Sequence, residues 1–160
     1  RGRLKRVRGY EAKARTAIER AEADGVQALI CSFDRDGVQN SYRLQDARKA
    51  RDGAHARGSR LPCVLAMPIE KVEAWLIGDA NNVQRLLPSA HPKRVHGPEK
   101  IADPKSILLG LLKERGLDEA QTCDDLASQA DLKTLRLTCS RSFDPFMDEV
   151  KREIVMGLRL

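Results

Sequence analysis

The 160-residue chain holds 41% apolar and 32% charged residues and a formal charge of +6, the balance of one soluble globular domain that needs no staples. No apolar run approaches the ~20 residues that cross a bilayer. Four cysteines without a CxxC pair, and three histidines (His55, His91, His96) off zinc-ligand spacing, exclude a structural zinc site and point to a reducing, cytoplasmic compartment.

The chain opens on Arg1 rather than methionine, and we expect further residues upstream. Arg1, Arg3, Lys5, Arg6 and Arg8 form a basic cluster, and Arg3–Val7 reads as a short, highly charged edge strand. Basic clusters suit a polyanion because they release counterions from phosphates, although a solvated face has the same look. Tyr10–Ala23 is rich in helix formers, with Ala14, Ala17, Ile18 and Ala21 at helical spacing and Asp24-Gly25 as a stop. Val26–Phe33 reads as a buried strand. Ser41–Arg57 reads as a charged helix capped by Ser41; Arg43, Arg48, Lys49, Arg51, Arg57 and Arg60 make a second, looser basic group. Leu61–Met67 is a second buried strand, and Pro68 fits the opening of a helix over Ile69–Gly78 that carries Trp75. Continuously apolar strands joined by helices imply a parallel sheet covered on both faces.

Beyond a Pro-, His- and Gly-containing loop (Pro88–Pro104) only helices are predicted: Pro104–Arg115, Asp118–Ala130, Leu132–Leu137 and Asp144–Val155. Phe143 and Phe146, three apart, should bury one face of the last helix. The expected organisation is an α/β core over 1–87 and a helical extension over 88–160, packed as a single structural domain. The low aromatic content, 4%, argues against a base-stacking platform for single strands.

The first strand ends in Asp34-Arg35-Asp36-Gly37. In open parallel sheets, ligands lie beyond the carboxyl ends of the strands. Alternate residues of an extended segment point the same way, so the two carboxylates can converge, and Gly37 lets the chain turn sharply. A plain turn explains one such residue; two aimed alike suit a hard divalent cation. Their mutual repulsion should raise the pKa of one of them. Glu70 and Glu73 would be neighbours on the following helix. Glu70 is explained by the preference for acids near helix starts, and Glu73, beside Val72, Trp75 and Leu76, is the better site candidate. Trp75 reads as core.

Two resemblances compete. "FDRDGV" resembles the nucleophile motif of haloacid-dehalogenase phosphatases, but the next strand ends in Ala66-Met67-Pro68 without the required hydroxyl. The segment through Phe33-Asp34-Arg35-Asp36, then "MPIEKVEAWLIGD", "DPKSILLGLL" and "SRSFDPFMDEV", resembles in order the TOPRIM-like domains, within them the small RloB-like and OLD-nuclease-related families. That resemblance implies an α/β parallel sheet and Mg²⁺- or Mn²⁺-dependent phosphodiester chemistry on nucleic acid. Asp34 and Asp36 would hold the metal, and Glu73 would be a third acidic member. Arg35 and the basic Arg3, Lys5, Arg6 and Arg8 would contact phosphate. The family pattern also begins with a strand ending in glutamate; no such strand precedes Arg3, and Glu11 falls in a helix. A non-catalytic TOPRIM-like module partnering an ATPase is therefore the rival reading.

Overall fold

The computed structural model describes residues 9–88 and 95–157; the expected Arg3–Val7 strand and the basic cluster Arg1–Arg8 lie outside the described residues. The described residues are mostly helical, 63%, with a small two-stranded parallel sheet flanked by helices. It forms two compact units. The first comprises Arg1–Phe33, Gln39–Ala66 and Asp148–Leu160, the second Asp34–Val38 and Met67–Met147.

In the first unit, α1 (Tyr10–Ala23) has the bounds its composition predicts. It packs against α2 (Ser41–Ala56). Apart from Ile18, the buried residues are all alanine, Ala14 and Ala21 on α1 and Ala47, Ala50 and Ala54 on α2, so the backbones can approach closely. Arg43 Nη1 donates to the Tyr10 hydroxyl at 2.9 Å, and the Tyr10 ring meets Phe33 edge-on at 5.7 Å. Ser41 is the first helical residue, not the cap. A 3-10 turn, Val38–Asn40, leads into the helix and places Asn40 at the capping position, where its side chain makes no capping bond.

The strands β1 (Leu29–Ser32) and β2 (Cys63–Ala66) are adjacent and parallel, Leu29 opposite Cys63 and Ser32 opposite Ala66. Both are shorter than their apolar runs. β2 is buried throughout, whereas β1 exposes Ile30 and Ser32. On β2, Glu149 accepts from the Leu65 backbone N–H at 3.1 Å and from the Arg51 guanidinium, so a side chain satisfies a strand N–H.

The second unit is helical apart from its loops. Its elements are α3 (Glu73–Leu76), α4 (Ala80–Leu86), a 3-10 turn (Pro98–Lys100), α5 (Pro104–Arg115), α6 (Glu119–Ser128), α7 (Leu132–Thr138) and the start of α8 (Phe143–Val150); the division between the units falls within α8. A short π-helix, Lys151–Val155, follows α8. Ile77, Val83, Leu87, Val95, Leu108, Leu111, Leu112 and Leu126 form its core. Trp75 is buried, as expected, against Phe143 (5.1 Å, edge-on) and Phe146 (5.3 Å, stacked). Phe143 is buried and Phe146 half-buried.

The helix expected over Ile69–Gly78 is a correction. Only Glu73–Leu76 is α-helical. The carbonyls of Pro68, Ile69 and Glu70, which would have accepted bonds along a helix, instead accept from the N–H groups of Arg35, Gly37 and Asp36. Glu70 and Glu73 are consequently not neighbours on one helix. Among the described residues no helix is long and apolar enough to cross a membrane.

Candidate functional site

The second unit carries the acidic loop. Arg35 N–H donates to Pro68 O at 3.1 Å, Asp36 N–H to Glu70 O at 3.1 Å and Gly37 N–H to Ile69 O at 2.8 Å. Three successive donors thus pin the loop to the strand of chain that leads into α3. Asp36 takes φ 50 and Gly37 φ 113. The left-handed region suits glycine and is tolerated by aspartate, so Asp36-Gly37 makes the sharp turn that the sequence anticipates.

Asp34 is half-buried. Its Oδ1 accepts the backbone N–H of Val72 at 3.1 Å, immediately before α3. Its carboxyl pKa is pushed above the ordinary value, first by burial; the Val72 N–H opposes this, while the charges of Glu73 and then Asp36 add to it. Repulsion between acids was expected to do this work. It contributes, but burial is the larger cause, and Glu73 acts more strongly than Asp36.

Glu73 opens α3 with its side chain 15% exposed, and Lys105 Nζ lies 3.8 Å from its Oε1 and 3.9 Å from Glu119 Oε1. Lys71 Nζ lies 3.2 Å from Asp103 Oδ1. That hydrogen bond is the main cause that raises the Lys71 pKa; burial opposes it, and the charges of Asp103, Glu73 and Asp36 add. Asp103 caps α5 by accepting from the Ser106 N–H and hydroxyl. These bonds, and then Lys71, hold its carboxyl below the usual range.

The structure therefore brings Asp36 and Glu73 within electrostatic reach of Asp34. Arg35 turns back on its own loop, Nη2 donating to Val38 O at 3.3 Å. Arg3, Lys5, Arg6 and Arg8 lie outside the described residues. Sequence reasoning passed over Lys71, Lys105 and Asp103. Asp103-Pro104-x-Ser106 is legible as a helix start, and Lys71 stands between the two glutamates of "IEKVE"; neither signals proximity to Asp34 in the linear order.

Among the described residues no three or more His, Cys, Asp or Glu side chains gather closely enough to hold a metal ion. The carboxylates acting most strongly on Asp34 are those of Glu73 and Asp36. That donor set fits a Mg²⁺ ion, which binds through one or two carboxylates and completes its shell with water and substrate phosphate. It does not fit zinc, which takes a nearly full protein shell. No family model matches the chain, and no curated protein or solved structure matches it.

Proposed function

We propose that the Asp34–Gly37 loop is the metal-binding edge of a TOPRIM-like site for phosphodiester chemistry on nucleic acid. One observation supports this above the others: the Asp34 carboxyl is destabilised as an anion by burial and by two neighbouring carboxylates, Glu73 and Asp36. A cation between such groups relieves that penalty. Asp34 and Asp36 would hold Mg²⁺ or Mn²⁺, which when bound would stabilise charge on a scissile phosphate.

The chain's own residues divide the remaining work. The Val72 N–H fixes the orientation of the Asp34 carboxylate. Glu73, held beside Lys105, can take or return a proton on a water near the phosphate. Lys71 and Lys105 offer ammonium groups that position phosphate without reading bases.

A non-catalytic module of the same fold, engaging a partner such as an ATPase, is the second reading. It is favoured by the same two lysines, because ammonium groups already offset the carboxylates. Titration with Mg²⁺ and Mn²⁺ of the wild type, Asp34→Asn and Asp36→Asn, with DNA and RNA cleavage followed in parallel, separates the readings. Metal binding and cleavage that both fall in the two variants support the site. Metal binding unchanged in both variants removes it. Metal binding that depends on both residues, without cleavage, selects the non-catalytic module. Phosphate release from small phosphomonoesters, abolished by Asp34→Asn, would instead favour the phosphatase.

A further inference from the structure

Cys31 and Cys63 stand on the two strands of the first unit. Leu29 is opposite Cys63 and Cys31 is opposite Leu65. Opposed residues of paired strands share a face, and so do residues two apart on one strand. Cys31 and Cys63 therefore point to the same face, diagonally across the pair. Both are buried and reduced, at 5% and 1% exposure. The two thiols influence each other: Cys63 lowers the pKa of Cys31, whereas Cys31 and then burial raise that of Cys63.

Two thiols this close invite either a disulfide or a bridging ion, and strand geometry separates the two. Neighbouring strands lie about 4.8 Å apart and rise about 3.3 Å per residue, so a two-residue diagonal puts the Cα atoms roughly 8 Å apart. A disulfide needs Cα atoms within about 7 Å, and longer spans require the backbone to move. Bonds of roughly 2.3 Å from each thiolate to a metal place the two sulfurs about 4.6 Å apart when the ion lies between them. Side chains that leave one face of adjacent strands reach that span by rotation about χ1. The ion must also be content with two ligands, because the described residues gather no third His, Cys, Asp or Glu. Zinc is excluded on that count. Soft sulfur donors select a monovalent copper ion.

We propose that Cys31 and Cys63 form a two-coordinate site for a soft monovalent cation, Cu(I), bridging β1 and β2. On binding, both S–H bonds break, two protons leave to solvent and two Cu–S bonds form. Copper stays monovalent, so no oxidant or reductant takes part. The bridged unit carries one negative charge; Cys31 and burial hold the Cys63 thiol protonated in the free protein, so the metal must displace that proton, with the Arg51 guanidinium helping and Glu149 opposing. The site lies in the first unit and is independent of the acidic loop.

The test presents Cu(I) anaerobically as its coloured bathocuproine disulfonate complex and follows loss of that colour on adding protein. The wild type should withdraw copper in proportion to protein, Cys123→Ser should do the same, and Cys31→Ser and Cys63→Ser should each lose the withdrawal. Copper-edge X-ray absorption of the loaded wild type needs no variant to fold, and it should show two sulfur neighbours and no nitrogen or oxygen ligand. Failure of the wild type to withdraw copper overturns the proposal. So does withdrawal that survives either Cys31→Ser or Cys63→Ser, or a shell with a third ligand. A Cys31–Cys63 disulfide found by mass spectrometry after diamide treatment would also overturn it, because the sulfurs would then be close enough for direct bonding.

Discussion

Replacing Ser142 with alanine should destabilise the protein well beyond the loss of one hydroxyl. The Ser142 hydroxyl is the middle of a buried series: Trp75 Nε1–H donates to Ser142 Oγ at 2.8 Å, and the hydroxyl donates to Glu99 Oε1. Glu99 Oε2 accepts separately from the Arg141 N–H at 3.0 Å. Trp75, Ser142 and Glu99 are all buried. Ser142→Ala therefore leaves two polar atoms without partners, the indole N–H and one carboxylate oxygen. Each buried orphan costs about 1–3 kcal/mol, so the sum is roughly 2–4 kcal/mol when a water partly fills the space of the lost hydroxyl. Urea unfolding followed by fluorescence reports this directly, since Trp75 is the only tryptophan. A second comparison isolates the cause. In a Trp75→Phe background the indole donor is gone, so Ser142→Ala should cost less, with circular dichroism as the probe. A loss under about 0.5 kcal/mol in the wild-type background, the scale of an ordinary surface substitution, would refute the reasoning. So would an equal loss in both backgrounds.

The remaining expectations are narrower. Gly78→Ala would place a Cβ 2.8 Å from both Cys139 Sγ and Leu135 Cδ2 and 3.1 Å from the Trp75 carbonyl; overpacking of this kind costs about 1–3 kcal/mol, read as a lower urea midpoint. Asp34→Asn keeps an acceptor for the Val72 N–H and removes a charge that burial and two carboxylates disfavour. Because the folded pKa of Asp34 is raised, wild-type stability is lost as pH rises from the unfolded value of about 3.9 through the folded one. The variant should therefore gain on wild type, by up to about 1 kcal/mol, at pH 7 and not at pH 3; a larger advantage in acid would contradict the assigned causes. Glu149→Gln keeps an acceptor for the Leu65 N–H but removes the anion from Arg51, where both side chains are 12–13% exposed. The expected loss is about 1.5–3 kcal/mol, checked by thermal unfolding at low and high salt.

Local pattern carried the elements whose bonds are local. The bounds of α1 and α5 follow from composition and caps: Asp103 accepts the Ser106 N–H, Pro104 opens α5, and Gly116 at φ 63 closes it. The helix α4 was missed although Asp79 accepts the Asn82 N–H at 3.1 Å, because its two asparagines are weak helix formers and obscure the cap. The strands were recognised as parallel neighbours from their apolar runs, yet each kept only four ladder residues. The Val26 N–H is taken by Ala21 O at 3.1 Å at the end of α1, and Pro62 limits the start of β2, since a missing N–H cannot continue a ladder.

The segment Pro68–Val72 marks the boundary of what local pattern can show. Proline, acids and an apolar stripe all favour a helix there, and propensity alone would begin it at Ile69. The loop Arg35–Gly37 competes for the same carbonyls and takes them. That exchange moves the helix start to Glu73 and leaves the Val72 N–H facing Asp34. It also separates Glu70 from Glu73 while keeping Glu73 in reach of Asp34. The acidic site and the failed helix prediction thus have one cause. A loop more than thirty positions earlier in the sequence binds this segment through its backbone, a bond pattern that carries no residue signature. The substitution that reads this coupling is Gly37→Val. A branched side chain at φ 113 is strained and should dislodge the Gly37 N–H from Ile69 O, removing the pin that holds the loop. Hydrogen exchange should then quicken at Arg35, Asp36 and Val72 together. Quickened exchange at the loop alone, with Val72 protected as in wild type, would show that the start of α3 does not depend on it.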